Sequence, residues 1–182
     1  NYLEMNQSNL CLQIRLLVLI LLVSPGIALS SCVDPIIEQE RNVEPFTGIK
    51  VGGAFNLVLN QTGKHKLVIE AEEELMDKIR TEVKGNVLYI EMKLAWSWKG
   101  NDQVTIQIDF KDLESLNVSG AGDVSADTPI KAENLDIRVS VAVDVDLEVD
   151  AASMDVEVSG AGDVKISGST NSQKVRLSGA GD

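Results

Sequence analysis

Residues 118–124 read Val-Ser-Gly-Ala-Gly-Asp-Val, and the same heptapeptide returns at 158–164. Its centre, Ser-Gly-Ala-Gly-Asp, occurs at Ser119–Asp123, Ser159–Asp163 and Ser178–Asp182, with a degenerate copy at Ser140-Val141-Ala142-Val143-Asp144. The leading serines, Ser119, Ser140, Ser159 and Ser178, are almost evenly spaced. A fixed period near 20 is the mark of a stacked repeat, and it is too short for a pair of helices. Between the copies the pattern is strict alternation. Leu135, Ile137, Val139, Val141, Val143, Val145, Leu147 and Val149 share one parity, while Asp136, Arg138, Ser140, Asp144, Asp146 and Glu148 share the other. Period-two alternation means strands with one face buried. The expected fold is therefore all-β: a β-helix-like solenoid with rungs of about 20 residues, its parallel strands about 4.8 Å apart.

Glycine and aliphatic content fit that reading. No Phe, Trp or Tyr follows Phe110, so the interior must be filled by Val, Ile and Leu ladders, which suit a crowded pleated surface. Gly120 and Gly122 can turn a tight corner through positive φ. Val141 and Val143 replace two such glycines. That rung is expected to run straighter, with both valines buried or packed on a neighbour.

Upstream, a β-rich N-terminal segment (45–110) precedes the repeats (111–182). Ile49 and Val51, then Phe55, Leu57 and Leu59, then Leu67 and Ile69 alternate with other residues, with Gly52-Gly53 and Asn60–His65 as turns. Leu75, Ile79 and Val83 recur at spacing four behind Glu72, Glu73 and Glu74, which predicts one short amphipathic helix over Glu72–Val83. Strands resume around Leu88 and Ile90 and over Val104–Phe110. One parity runs on through Met92 and Leu94 to Trp96 and Trp98. These two tryptophans either extend the core stripe or contact a ligand such as a sugar ring. His65, between Lys64 and Lys66, is expected to be a solvated loop residue.

The stretch 1–31 reads as an address. Arg15 precedes the apolar run Leu16–Val23; Ser24, Pro25 and Gly26 interrupt it; Leu29-Ser30-Ser31-Cys32 follows. A short apolar stretch behind a base and ahead of small residues is a secretory signal. It falls short of the roughly 20 residues that span a bilayer. The Leu-Ser-Ser-Cys tetrapeptide resembles a bacterial lipobox, which implies lipidation of Cys32 and a tether over 32–44. Cys11, in the leader, is the only other cysteine, so the body beyond Cys32 has no thiol with which to form a disulfide.

The chain carries 28 acidic and 16 basic residues, a net charge of −12. No basic face for phosphate contacts follows from that balance, which excludes nucleic acid as a partner. One histidine leaves little room for His-based catalysis or multi-His zinc sites. Asp123, Asp144, Asp163 and Asp182 would stack into an acidic column. Such a column either holds calcium or bonds nearby backbone amides.

The segment Phe46–Met92 together with the Ser-Gly-Ala-Gly-Asp repeats resembles the head GIN domain family of auto-transporter adhesins, over Pro45–Asp182. The resemblance implies a β-helix-like domain on an exported protein, often a lipoprotein of a Gram-negative envelope, with no catalytic residues to carry over. The chain departs from it in the second repeat and in stopping on a repeat motif. Because a solenoid needs a cap, the chain is expected to be shortened at its C-terminus. The functional expectation is a non-enzymatic, lipid-anchored envelope protein (outer membrane or periplasmic face) with an adhesive or scaffolding role. It would use no cofactor, and its partners would be the membrane through the anchor and a surface glycan or protein. The alternatives are a calcium- or glycan-binding module and a carbohydrate-active β-helix enzyme. The enzyme is disfavoured because beyond Lys111 only Lys131, Arg138, Lys165, Lys174 and Arg176 are basic.

Overall fold

The computed structural model describes residues 35–93 and 103–180. The signal expected over 1–31, Cys32, Trp96, Trp98 and Asp182 lie outside the described residues. The described body is all-β with one short helix. In chain order it contains β1 (Ile36–Arg41), β2 (Gly48–Ala54), β3 (Asn56–Gln61), β4 (Lys66–Glu72), α1 (Glu73–Met76) and β5 (Ile79–Lys84). There follow β6 (Val87–Met92), β7 (Thr105–Phe110), β8 (Ser115–Ala126), β9 (Ile130–Gly160) and β10 (Val164–Gly179).

These strands belong to one curled sheet. Its main path runs β1-β4-β7-β3-β8-β2-β6-β5, and β9 and β10 add to β8 in turn. The pairs β1/β4, β4/β7 and β5/β6 are antiparallel, and the rest are parallel. The parallel registers follow the repeat: Ser119 pairs with Ser140, and Ser159 with Ser178, each with the serine that leads the next copy.

Alternation reads directly as burial. Leu135, Ile137, Val139, Val143, Val145, Leu147 and Val149 are buried, as are Leu88, Ile90, Ile106, Ile108 and Phe110. The polar partners of the 135–149 stretch face outward or lie at partial exposure. Each fully buried Val, Leu or Ile contributes about 1.5–3 kcal/mol against leaving it in water. A register slip by one position would expose the whole column, and this locks the pairing. Val143 is buried at 2% exposure, as expected at the glycine-free corner; the side chain of Val141 lies outside what is described.

Three stretches differ from the sequence reading. The expected helix over Glu72–Val83 is confined to α1, and Ile79–Lys84 is strand β5. Spacing four satisfies either period here, since Ile79, Thr81 and Val83 also alternate. The hairpin decides the outcome. Gly85 (φ 56°) and Asn86 (φ 66°) form a two-residue turn with both φ values positive, the geometry that matches the twist of antiparallel strands. Ile36–Arg41, within the stretch read as a tether, forms β1 and pairs with β4 from Ile36↔Glu72 to Arg41↔Leu67. His65 is half-buried rather than solvated. Its ring meets Phe46 edge-on, with centroids 4.8 Å apart.

Candidate functional site

The feature that organises the surface is the corner column. β8 passes through its Gly120–Gly122 bend with β2 and β3 beside it, both at the same offset. Gly48–Ala54 pairs with Ser115–Ala121, and Leu57–Leu59 with Val124–Ala126. Gly52-Gly53-Ala54-Phe55-Asn56 is thereby the first copy of the Ser-Gly-Ala-Gly-Asp corner. The signal was present in Val51, Gly53, Ala54 and the Asn56-for-Asp123 exchange, but β4 to β7 separate it from its partner in the chain. Gly120 shows why the corner is restricted: its φ is 146°, and a Cβ there would stand 1.8 Å from the Gly53 carbonyl oxygen.

Of the four aspartates expected to stack, Asp182 lies outside the described residues. Asp123 pairs with Asp144 in register. The Asp163 amide donates to Asp144 Oδ1 at 2.9 Å, and the Asp123 amide donates to Asn56 Oδ1 at 3.3 Å. In both cases the side chain accepts the backbone N–H of the next level. The same device appears at a second corner, where the Ser169 amide (3.2 Å) and hydroxyl (2.7 Å) both donate to Asp150 Oδ1. Among the described residues, no group of three or more His, Cys, Asp or Glu is placed to hold a metal ion.

Beside the stack lies an open groove of about 920 Å³, lined by Asp112, Glu114, Glu133, Asp136, Asp150 and Asp155 among others, with Lys131. Much of its negative charge is already engaged. Arg138 reaches Asp136 at 2.7 Å, Arg176 reaches Asp155 at 3.1 Å, and Thr47 Oγ1 donates to Glu114 at 3.2 Å.

A second element missed by the sequence reading is Arg41. Its guanidinium donates to the Met76 carbonyl (2.8 Å), the Ile79 carbonyl (2.7 Å) and Thr81 Oγ1 (3.2 Å). β1 and β5 are the two ends of the main strand path, so this one side chain joins them across the curl. Partial burial lowers the Arg41 pKa, and Asp77 opposes that shift by favouring the charge.

Residues 45–182 match the family model described as "Putative auto-transporter adhesin, head GIN domain". The chain belongs to the head GIN domain family. Its fold is also found in two crystal structures, each titled a "putative adhesin". One, from Bacteroides fragilis, is 18% identical with a TM-score of 0.58 over 82% of this chain and 96% of that one. The other, from Parabacteroides distasonis, is 20% identical with a TM-score of 0.55 over 78% of this chain and 69% of that one. No curated protein sequence matches.

The head GIN body described here places polar chemistry on its outside. Among the described residues no polar or charged residue is fully buried, and the interior is aliphatic with a few aromatics. The one buried side-chain polar atom found there without a hydrogen-bond partner is His65 Nδ1. No described helix is long and apolar enough to cross a membrane.

Proposed function

We propose that this protein is a non-enzymatic component of a bacterial cell envelope, tethered through lipid on Cys32 and serving as an adhesive or scaffolding module. Membership of the head GIN domain family carries the reading. The outer surface supports it, because among the described residues no polar or charged residue is fully buried and the polar chemistry available for contacts lies outside. The leader and the Leu29–Cys32 tetrapeptide support export and anchoring. Two acyl chains on one cysteine give stable attachment at about 0.8 kcal/mol per buried CH₂. β8, β9 and β10 are read as successive rungs of a β-helix-like solenoid, on the strength of parallel registers that advance by one copy of the repeat at each pairing.

The test uses the complete protein in a Gram-negative host. Palmitate labelling is expected in the parent and lost in Cys32→Ala, together with membrane association. Unlabelled parent protein would refute the anchor. Beads coated with the purified body should then bind envelope glycans or partner cells. Turnover of an acidic polysaccharide by the same preparation would refute the non-enzymatic reading.

A further inference from the structure

His65 stands where stability does not ask for it. It is the chain's only histidine, half-buried with its ring edge-on to Phe46, and its Nδ1 is buried without a hydrogen-bond partner. A buried polar atom without a partner costs free energy, and a phenyl ring would keep the Phe46 contact without that cost. Among the described residues Nε2 has no partner either, and it is not enclosed as Nδ1 is. A position that breaks a packing rule with no local gain points to function.

The same residue lines a cavity of about 460 Å³, with Pro45 and Phe46 as apolar walls and Asn86, Lys111 and Asp112 as polar ones. That volume lies within the roughly 300–1,000 Å³ typical of small-molecule sites. Backbone hydrogen bonds fix its frame. The Thr47 and Gly48 amides donate to the Asn86 carbonyl at 2.9 and 3.0 Å, and the Thr62 and Gly63 amides both donate to the Phe110 carbonyl at 3.1 Å. Charge sets the cavity apart from the larger groove, with which it shares Asp112. The groove is lined by six acids and one base, whereas here Asp112 is the one acid, in company with Lys111 and the imidazole. Lys111 Nζ lies 3.8 Å from Asp112, and the two side chains are 66% and 67% exposed. Such an exposed pair holds little energy, so the ammonium remains available to an anion. The side-chain amide of Asn86 has no partner among the described residues.

We propose that this cavity binds a small carboxylate carried on a six-membered ring. Lys111 supplies the charge, and the Asn86 amide and the N–H of a neutral imidazole on His65 Nε2 supply further donors. Hydrogen bonds from a cation to a carboxylate are the strong ones. Pro45 and Phe46 give the ring of the ligand an apolar wall. The inference goes beyond the envelope reading and stands without it.

The test is an NMR titration of the full chain, in which the one imidazole gives a single set of ring signals. Benzoate and glucuronate carry the carboxylate on an aromatic and on a sugar ring, and benzyl alcohol and glucose are their neutral counterparts. At least one of the two acids should move the His65 signals saturably, with a Kd of order 1 mM. Its neutral counterpart should bind about tenfold more weakly, and the gap should shrink as salt is raised. The tighter of the two acids tells an aromatic from a sugar acid. Lys111→Gln should weaken binding about tenfold and leave the melting curve unchanged, since the side chain is exposed. His65→Phe, followed by saturation transfer from protein to ligand, should lose binding while melting no lower than the parent; a merely structural imidazole would leave binding intact. Lys131→Gln, in the neighbouring groove, should bind as the parent does. Failure of both acids to bind, equal binding of acid and neutral counterpart, parent-like binding by Lys111→Gln or His65→Phe, or a loss in Lys131→Gln would each overturn the proposal.

Discussion

Replacing Gly120 by alanine should come close to unfolding the domain, although it adds a single methyl group. The new Cβ would lie 1.8 Å from the Gly53 oxygen, 2.7 Å from its carbonyl carbon and 3.0 Å from its nitrogen. All three are backbone atoms of the paired strand β2, so no side chain can swing away. The φ of 146° adds strain of order 1–3 kcal/mol for a residue with a Cβ. Relieving the overlap means separating β8 from β2 at the corner, which gives up local ladder bonds at about 1 kcal/mol each and opens the packing around Phe55 and Val118. The total is about 4–6 kcal/mol, a large share of the roughly 5–15 kcal/mol that holds a typical domain. Gly63→Ala is the control: its φ of 78° carries strain, but nothing lies within 4 Å of the added methyl. It should cost about 1 kcal/mol. Urea denaturation of both variants and the parent, followed by circular dichroism, measures the difference. If Gly120→Ala were as mild as Gly63→Ala, the close stacking of the two corners would be wrong.

Other outcomes follow from the same packing. Arg41→Ala removes three hydrogen bonds that join β1, α1 and β5, and should lower stability by about 2–4 kcal/mol in a urea titration. Arg41→Lys should recover less than half of that, because an ammonium cannot reproduce the planar fork. His65→Phe should be neutral or raise Tm, since it retires a buried nitrogen that has no partner while keeping an edge contact to Phe46. The hydrogen bond from Lys84, aided by the nearby charge of Arg80, holds the Glu82 pKa below its ordinary 4.5. Its contribution is therefore complete above that value and lost as pH falls through the lowered one. A Glu82→Gln variant should lose part of the parent's acid sensitivity below about pH 4.5, read by thermal melts across roughly pH 2–6.

How much of this was legible beforehand varies along the chain. Around β9 nearly everything was, because the buried and exposed parities of 135–149 are written into alternate residues and the repeat states which residues pair. At Ile79–Lys84 the same kind of evidence misled. Spacing four fits a helix turn as well as a strand, and only the Gly85-Asn86 hairpin with β6 selects between them. Of the aspartates expected to stack, Asp144 accepts the Asp163 amide on its side chain, and Asp182 lies outside the described residues. Trp96, Trp98 and Cys32 stay with the sequence reading alone.

Taken by itself, the sequence determined the strand character of the body, the faces that would be buried and the repeat register. All of these are local or periodic properties of neighbouring residues. The tertiary structure decided that Gly52–Asn56 is a corner stacked on one far downstream, that Ile36–Arg41 is an edge strand, and that Arg41 bridges the two ends of the curl. It also left β10 with one free edge among the described residues. The physical reason is that facing direction follows from a period of two along one strand, whereas the choice of neighbour follows from packing and hydrogen bonding between segments far apart in the chain.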